Sequence, residues 1–145
     1  MKAAVYTAVK TIEFQDRSML KAGSGEVVVK IKYCGICGTD VHIYFEGILP
    51  PGIILGHENV GTVAEVGEGV DGWKVGDRVV AGPPGPCQTN GLRRDGGMAE
   101  YMLVKDPKYM LTRIPDNVPF EDAVLMDCIA TAYRGIMQSA FWDER

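Results

Sequence analysis

What most limits the fold of this chain is its punctuation. Eighteen glycines and eight prolines are spread through 145 residues, and that density imposes turns and irregular connections between short elements. A β-rich domain answers that constraint better than a helical one. Short strands are predicted over Met1–Thr7, Ile12–Gln15, Glu26–Tyr33, Val60–Gly67 and Met98–Val104, with a turn and strand over Lys74–Val80, where apolar residues alternate with polar ones between turn signals. Residues 39–46 read as a short helical turn with Thr39 or Asp40 as its cap. From Pro119 onward Glu121 and Asp122 sit where a first helical turn favours negative charge, and apolar residues recur at helical spacing through Met137. The predicted fold class is mainly β, an antiparallel barrel with helices on its flank.

The chain is long enough for one domain with its own core. A net charge of −4 and no cluster of Lys or Arg give nucleic acid or an anionic membrane little to hold. The N-terminus lacks the apolar core of a signal peptide, and no apolar run approaches the roughly 18 residues of a membrane span. The expectation is a cytoplasmic protein with a small-molecule ligand. Four cysteines in such a compartment suit metal binding, catalysis or burial better than disulfides.

Both histidines fall in short motifs, Cys34-Gly35-Ile36-Cys37-Gly38-Thr39-Asp40-Val41-His42 and Gly56-His57-Glu58-Asn59-Val60-Gly61. A thiolate, a neutral imidazole and a nearby carboxylate are the donors Zn²⁺ accepts when one position stays open for chemistry. Cys34-x-x-Cys37 also has the spacing of a redox pair, but such a pair opens a helix in a βαβ pattern. Here glycines flank it in a β-rich region.

These motifs resemble the zinc-dependent medium-chain dehydrogenase/reductase family, the alcohol, sorbitol and threonine dehydrogenase group, and specifically its N-terminal GroES-like catalytic domain. Gly56-His57-Glu58-x-x-Gly61-x5-Gly67-x2-Val70 is similar to the family's zinc motif. Gly76-Asp77-Arg78-Val79 and Asp95-Gly96-Gly97-Met98-Ala99-Glu100-Tyr101 resemble its next two landmarks, and the match runs from Met1 to about Gln138. The resemblance implies a GroES-like, partly open β-barrel across residues 1–145, with terminal helices from about residue 119.

It also implies the site. Cys37 and His57 match the first two zinc ligands, and Glu58 is the adjacent carboxylate, expected to be a switchable or outer ligand. Asp127 aligns with the third ligand; Cys128, one residue on, is the competing candidate, and Asp127 could instead cap the last helix. Thr39 and His42 match a proton relay, and Asp40 a carboxylate that orients the ligating histidine. In this family zinc acts as a Lewis acid that eases loss of the alcohol's proton while hydride passes to a nicotinamide ring. Cys34 reads as a buried small side chain.

Two departures from the family bear on function. Between the Gly-Asp-Arg-Val and Asp-Gly-Gly landmarks, where typical members carry a four-cysteine structural zinc lobe, only Cys87 occurs, and one cysteine cannot close such a site. One catalytic zinc and no structural zinc are expected. No strand followed by Gly-x-Gly-x-x-Gly appears, so the Rossmann domain is expected to be absent and NAD or NADP, implied by the family, has no motif here to bind it. The chain is therefore read as the catalytic-domain portion of an oxidoreductase passing hydride between an alcohol or polyol and NAD(P), inactive without a cofactor domain. The alternative is a non-catalytic zinc-binding or protein-interaction module, and a third reading lets zinc activate water for hydrolysis with Glu58 as base. Apolar surface around Met126, Tyr133, Phe141 and Trp142 is expected to face a homo-oligomer partner or a separate cofactor domain. The segment Phe45–Leu49 supplies at most half of a substrate pocket wall.

Overall fold

A computed structural model describes residues 1–82 and 89–139 of the chain. Strands β1 (Lys2–Ala8) and β2 (Thr11–Asp16) form an antiparallel hairpin. A five-stranded sheet follows, built from β3 (Val27–Gly35), β4 (Glu58–Val66), β5 (Arg78–Ala81), β6 (Tyr101–Val104) and β7 (Leu111–Arg113), in the order β6-β3-β4-β5-β7. The helices are α1 (Gly38–Glu46), α2 (Pro107–Met110), α3 (Phe120–Ala123) and α4 (Met126–Gln138).

The predicted strands form, and every pairing among them is antiparallel. The barrel is open: β6 and β7 are edge strands that do not pair with each other. In a flat sheet these edges would lie about 19 Å apart, four strand spacings. Yet Met102 and Val104 of β6 and Leu111 of β7 belong to one buried cluster with Val27, Val29, Val63 and Val79. The sheet is therefore curled around its core. The edges are joined in the chain by α2, whose Met110 is buried in the same cluster.

The segment 107–113, which holds α2 and β7, carries too short an apolar pattern to have been read from sequence. The Met98–Val104 strand begins later than expected, because Ala99 makes only an isolated bridge to Ala3 while residues 96–98 pair with residues 54–56. The helical region beyond Pro119 breaks between α3 and α4 at Val124 and Leu125.

Gly61 shows why β4 can lie against β3. It pairs with Ile31 beside an irregularity in the ladder, and a Cβ at this position would collide with the carbonyl oxygen of Lys30. Backbone cannot move aside as a flexible side chain can. Gly61→Ala is expected to cost about 3 kcal/mol, read as a lowered urea midpoint with an unchanged slope.

A charged cluster clamps β5 to β7. Asp77, just before β5, accepts hydrogen bonds from the Lys74 backbone N–H (3.0 Å), the Lys74 ammonium and the Arg113 guanidinium of β7 (3.0 Å). The Lys74 hydrogen bonds, foremost, and the Arg113 charge hold the Asp77 carboxyl below the usual carboxylate range. A depressed folded-state pKa stabilises the fold above the unfolded value, and that stabilisation is lost as pH falls through the folded one. Denaturation curves across the acid range are expected to show a shallower loss of stability in Asp77→Asn than in the parent.

Candidate metal centre

The site forms where the ends of β3 and β4 meet α1. At the end of β3 the chain turns through Cys37, the N-cap of α1 in extended conformation, with Asp40 at the third helical position. The cap is therefore not Thr39 or Asp40, as the sequence suggested. The Asp40 carboxylate instead folds back so that Oδ2 accepts the Cys37 N–H at 2.9 Å, satisfying a donor the helix cannot use itself. Cys37 thus stands at a helix N-terminus, where free N–H groups favour negative charge. At the other end α1 closes on Gly47, which takes a left-handed φ of 70°.

Asp40 is buried, and its other oxygen reaches the second motif. Oδ1 accepts the Gly56 N–H at 3.2 Å and lies 3.7 Å from His57 Nδ1. One carboxylate thereby joins the two segments that carry the candidate ligands. His57 is buried, and its Nδ1 makes no hydrogen bond. Such an orphaned buried nitrogen is uncommon and calls for an account.

The Gly56–His57 segment is held by close backbone packing. Gly96 and Gly97 donate to the carbonyls of Ile54 (2.8 Å) and Gly56 (2.9 Å), and Met98 donates to Leu55 (3.0 Å). Gly56 has a φ of 92°, and a Cβ on Gly91 or Gly96 would collide with its backbone. Asp95 Oδ1 accepts the Ile54 N–H at 3.0 Å, and the buried Asn59 amide donates to the Gly56 carbonyl at 3.2 Å. Asn59 and Asp95 had no role in the sequence reading; their position next to the glycine landmarks was the available signal.

Donor atoms of Cys37, His57 and Glu58 all lie within 4.8 Å of one another. They come from the α1 N-cap, the loop before β4 and the first residue of β4. Thr39 Oγ1 lies 3.8 Å from Cys37 Sγ. His42 is exposed and engages Glu46 at 2.9 Å; among the described residues no hydrogen bond links it to Thr39. Asp127 lies in the first turn of α4 and makes no capping hydrogen bond, and it is outside the cluster of three. Its neighbour Cys128 reaches in, with Sγ donating to Glu58 Oε1 at 3.3 Å.

The cysteines divide by environment. Burial, and then the negative charges of Asp40 and Glu58, push the Cys34 thiol up to about 12, so it stays protonated and packs as a small apolar group. The hydrogen bond to Glu58 and that carboxylate's charge raise the Cys128 thiol as well. Cys87 lies outside the described residues, as do Phe141 and Trp142. Met126 and Tyr133 are exposed, and α4 also exposes Ile129, Ile136 and Met137.

Residues 23–116 match the model of the alcohol dehydrogenase GroES-like domain. The chain belongs to this family. It is 34% identical to (R,R)-butanediol dehydrogenase of Bacillus subtilis over 96% of its own length and 47% of that protein's. An uncharacterized zinc-type alcohol dehydrogenase-like protein of Escherichia coli is 31% identical, over 95% of this chain and 47% of its own. Among solved structures, 2R,3R-butanediol dehydrogenase from Bacillus subtilis superposes with a TM-score of 0.86 at 32% identity, covering 95% of this chain and 47% of that one. The chain spans about half the length of these relatives. The similarity establishes the GroES-like fold that the sequence motifs implied.

Asp40 is a strut as much as an electrostatic partner. Asp40→Asn keeps its shape but replaces one carboxylate oxygen with an amide donor facing backbone N–H groups. A loss of about 1–3 kcal/mol is expected, measured by chemical denaturation of the metal-free chain, and Asp40→Ala is expected to lose at least as much.

Proposed function

We propose that residues 1–145 form the catalytic, zinc-binding portion of an alcohol or polyol dehydrogenase. The observation that carries this reading is the convergence of Cys37, His57 and Glu58 donors around a buried imidazole whose Nδ1 faces Asp40 without a hydrogen bond. The donor set is that of Zn²⁺. With Nδ1 turned to Asp40, Nε2 is the nitrogen left for the metal, and Asp40 would fix the tautomer and raise the ring's basicity.

The third strong ligand comes from the first turn of α4. Alignment with the family favours Asp127, whereas the contact of Cys128 with Glu58 favours the thiol. Either choice joins Cys37 in formally neutralising Zn²⁺, with Glu58 as the exchangeable or outer carboxylate. Zinc would supply Lewis acidity toward a substrate hydroxyl. The chain's own groups do the rest: Thr39, beside Cys37, would take up the hydroxyl proton while giving its own to His42, one turn further along α1, once that ring has left Glu46 to receive it and pass it to solvent.

Hydride acceptance by NAD or NADP requires a nucleotide-binding unit, which we place outside these residues, and the exposed apolar row on α4 is the surface it or a second copy would cover. No helix among the described residues is long and apolar enough to cross a membrane; the cytoplasmic location is part of the proposal. We propose one catalytic zinc and no structural zinc.

Elemental analysis of the purified chain is expected to give one zinc, lost in Cys37→Ser. No zinc after refolding with the metal would overturn the reading. Cobalt substitution assigns the third ligand: Cys128→Ser is expected to remove about half of the thiolate charge-transfer intensity if the thiol binds, and none if Asp127 does.

A further inference from the structure

The cleft beside the metal cluster has a chemical character that bears on what this enzyme portion selects. It has a volume of ≈ 680 Å³ and is lined by Thr39, Ile43, Ile48, Leu49, Leu92 and Arg93. Thr39 marks its reactive end, since its hydroxyl lies 3.8 Å from Cys37 Sγ. Four aliphatic side chains follow, and they include no hydrogen-bonding group for a second hydroxyl. The remaining lining residue is a guanidinium.

The Arg93 backbone is held beside the cleft by the local fold, and its side chain is exposed. The residue sits in a turn where its backbone N–H bonds to the Thr89 carbonyl at 3.0 Å and Gly91, at a φ of 81°, bonds to the Arg94 carbonyl at 2.7 Å. The preceding Leu92 packs against the buried cluster of Tyr6, Ile43 and Leu55. The two adjacent arginines differ: Arg94 faces Asp106 at 3.9 Å, while the Arg93 side chain has no carboxylate or carbonyl partner among the described residues. Among the described residues no acidic side chain lines the cleft, in a chain whose net charge is −4. A guanidinium presents a planar fork of donors suited to bidentate binding of carboxylate or phosphate.

We propose that Arg93 is a specificity residue and that the substrate is an alcohol bearing an anionic group, carboxylate or phosphate. The alcohol oxygen lies at the Thr39 end, a short apolar stretch passes the aliphatic wall, and the anion meets Arg93. This rests on the dehydrogenase reading above and adds the substrate class to it.

The test uses the cobalt-loaded chain, titrated with two matched pairs: 3-hydroxybutyrate against butan-2-ol, and glycerol 3-phosphate against glycerol. Binding is read from the cobalt visible spectrum and, independently of the metal, from the Arg93 side-chain Nε–H cross-peak in an NMR titration. One anionic alcohol is expected to bind about tenfold or more tightly than its neutral partner, the strength of one charge-assisted contact. The pair showing that preference distinguishes carboxylate from phosphate. Arg93→Gln is expected to abolish the preference, Arg93→Lys to keep part of it, and Arg94→Gln to leave it intact. Equal binding within both pairs, or a preference that survives Arg93→Gln, would overturn the proposal. An Arg93 cross-peak that ignores the anions would do the same, whatever the metal does. A cross-peak that responds in a chain that binds no cobalt would overturn the metal reading and leave the anion site standing.

Discussion

The site depends on one buried carboxylate. Asp40 receives N–H groups from Cys37 and Gly56 and faces the His57 ring, so two segments about twenty residues apart in sequence are registered through two oxygen atoms. Burying a charge is costly unless it is hydrogen-bonded, and here both oxygens are engaged. The geometry of the donors is consequently tied to the stability of the domain. Any change that moves α1 relative to the loop before β4 would break the Gly56 bond and leave one of the two buried oxygens without its partner, which gives the arrangement its stiffness.

Around that strut the fold supplies backbone rather than side chains. Residues 54–56 pair with 96–98, and Gly91 and Gly96 come so close to Gly56 that no Cβ would fit. His57 is therefore carried by a tightly packed layer of main chain, not by a free loop. The curled sheet provides the rest, with an apolar interior shared by the strands at both of its edges. The consequence for function is a candidate metal site on a tightly packed platform, bordered by Thr39 of α1 and touched by Cys128 of α4.

Much of the architecture could be read from residues because its causes are local. Alternating apolar residues between glycines gave the strands near their true bounds, and Gly47 ends α1 because only a left-handed residue fits there. The cap of α1 was misplaced by the same local rules: Asp40 is a good capping residue, but its carboxylate folds back from the third helical position to Cys37. The α2–β7 segment escaped notice because seven residues carry too little periodicity; its burial against β5 and the core comes from the tertiary fold.

The candidate donor types, their order along the chain and the short-range spacing of Cys37 with Asp40 and of His57 with Glu58 were legible in the residues alone, because capping and adjacent-residue geometry act over a few bonds. The motifs around them also carried the family resemblance, which the match of residues 23–116 bears out. Long-range packing set the rest: Asp40 bridges both motifs, His42 turns to Glu46, and Cys128 rather than Asp127 contacts Glu58. That last choice depends on the rotation of α4 about its axis as it meets a strand 70 residues earlier in the chain. Helix rotation is set by packing, and no local pattern encodes it at the resolution of one residue.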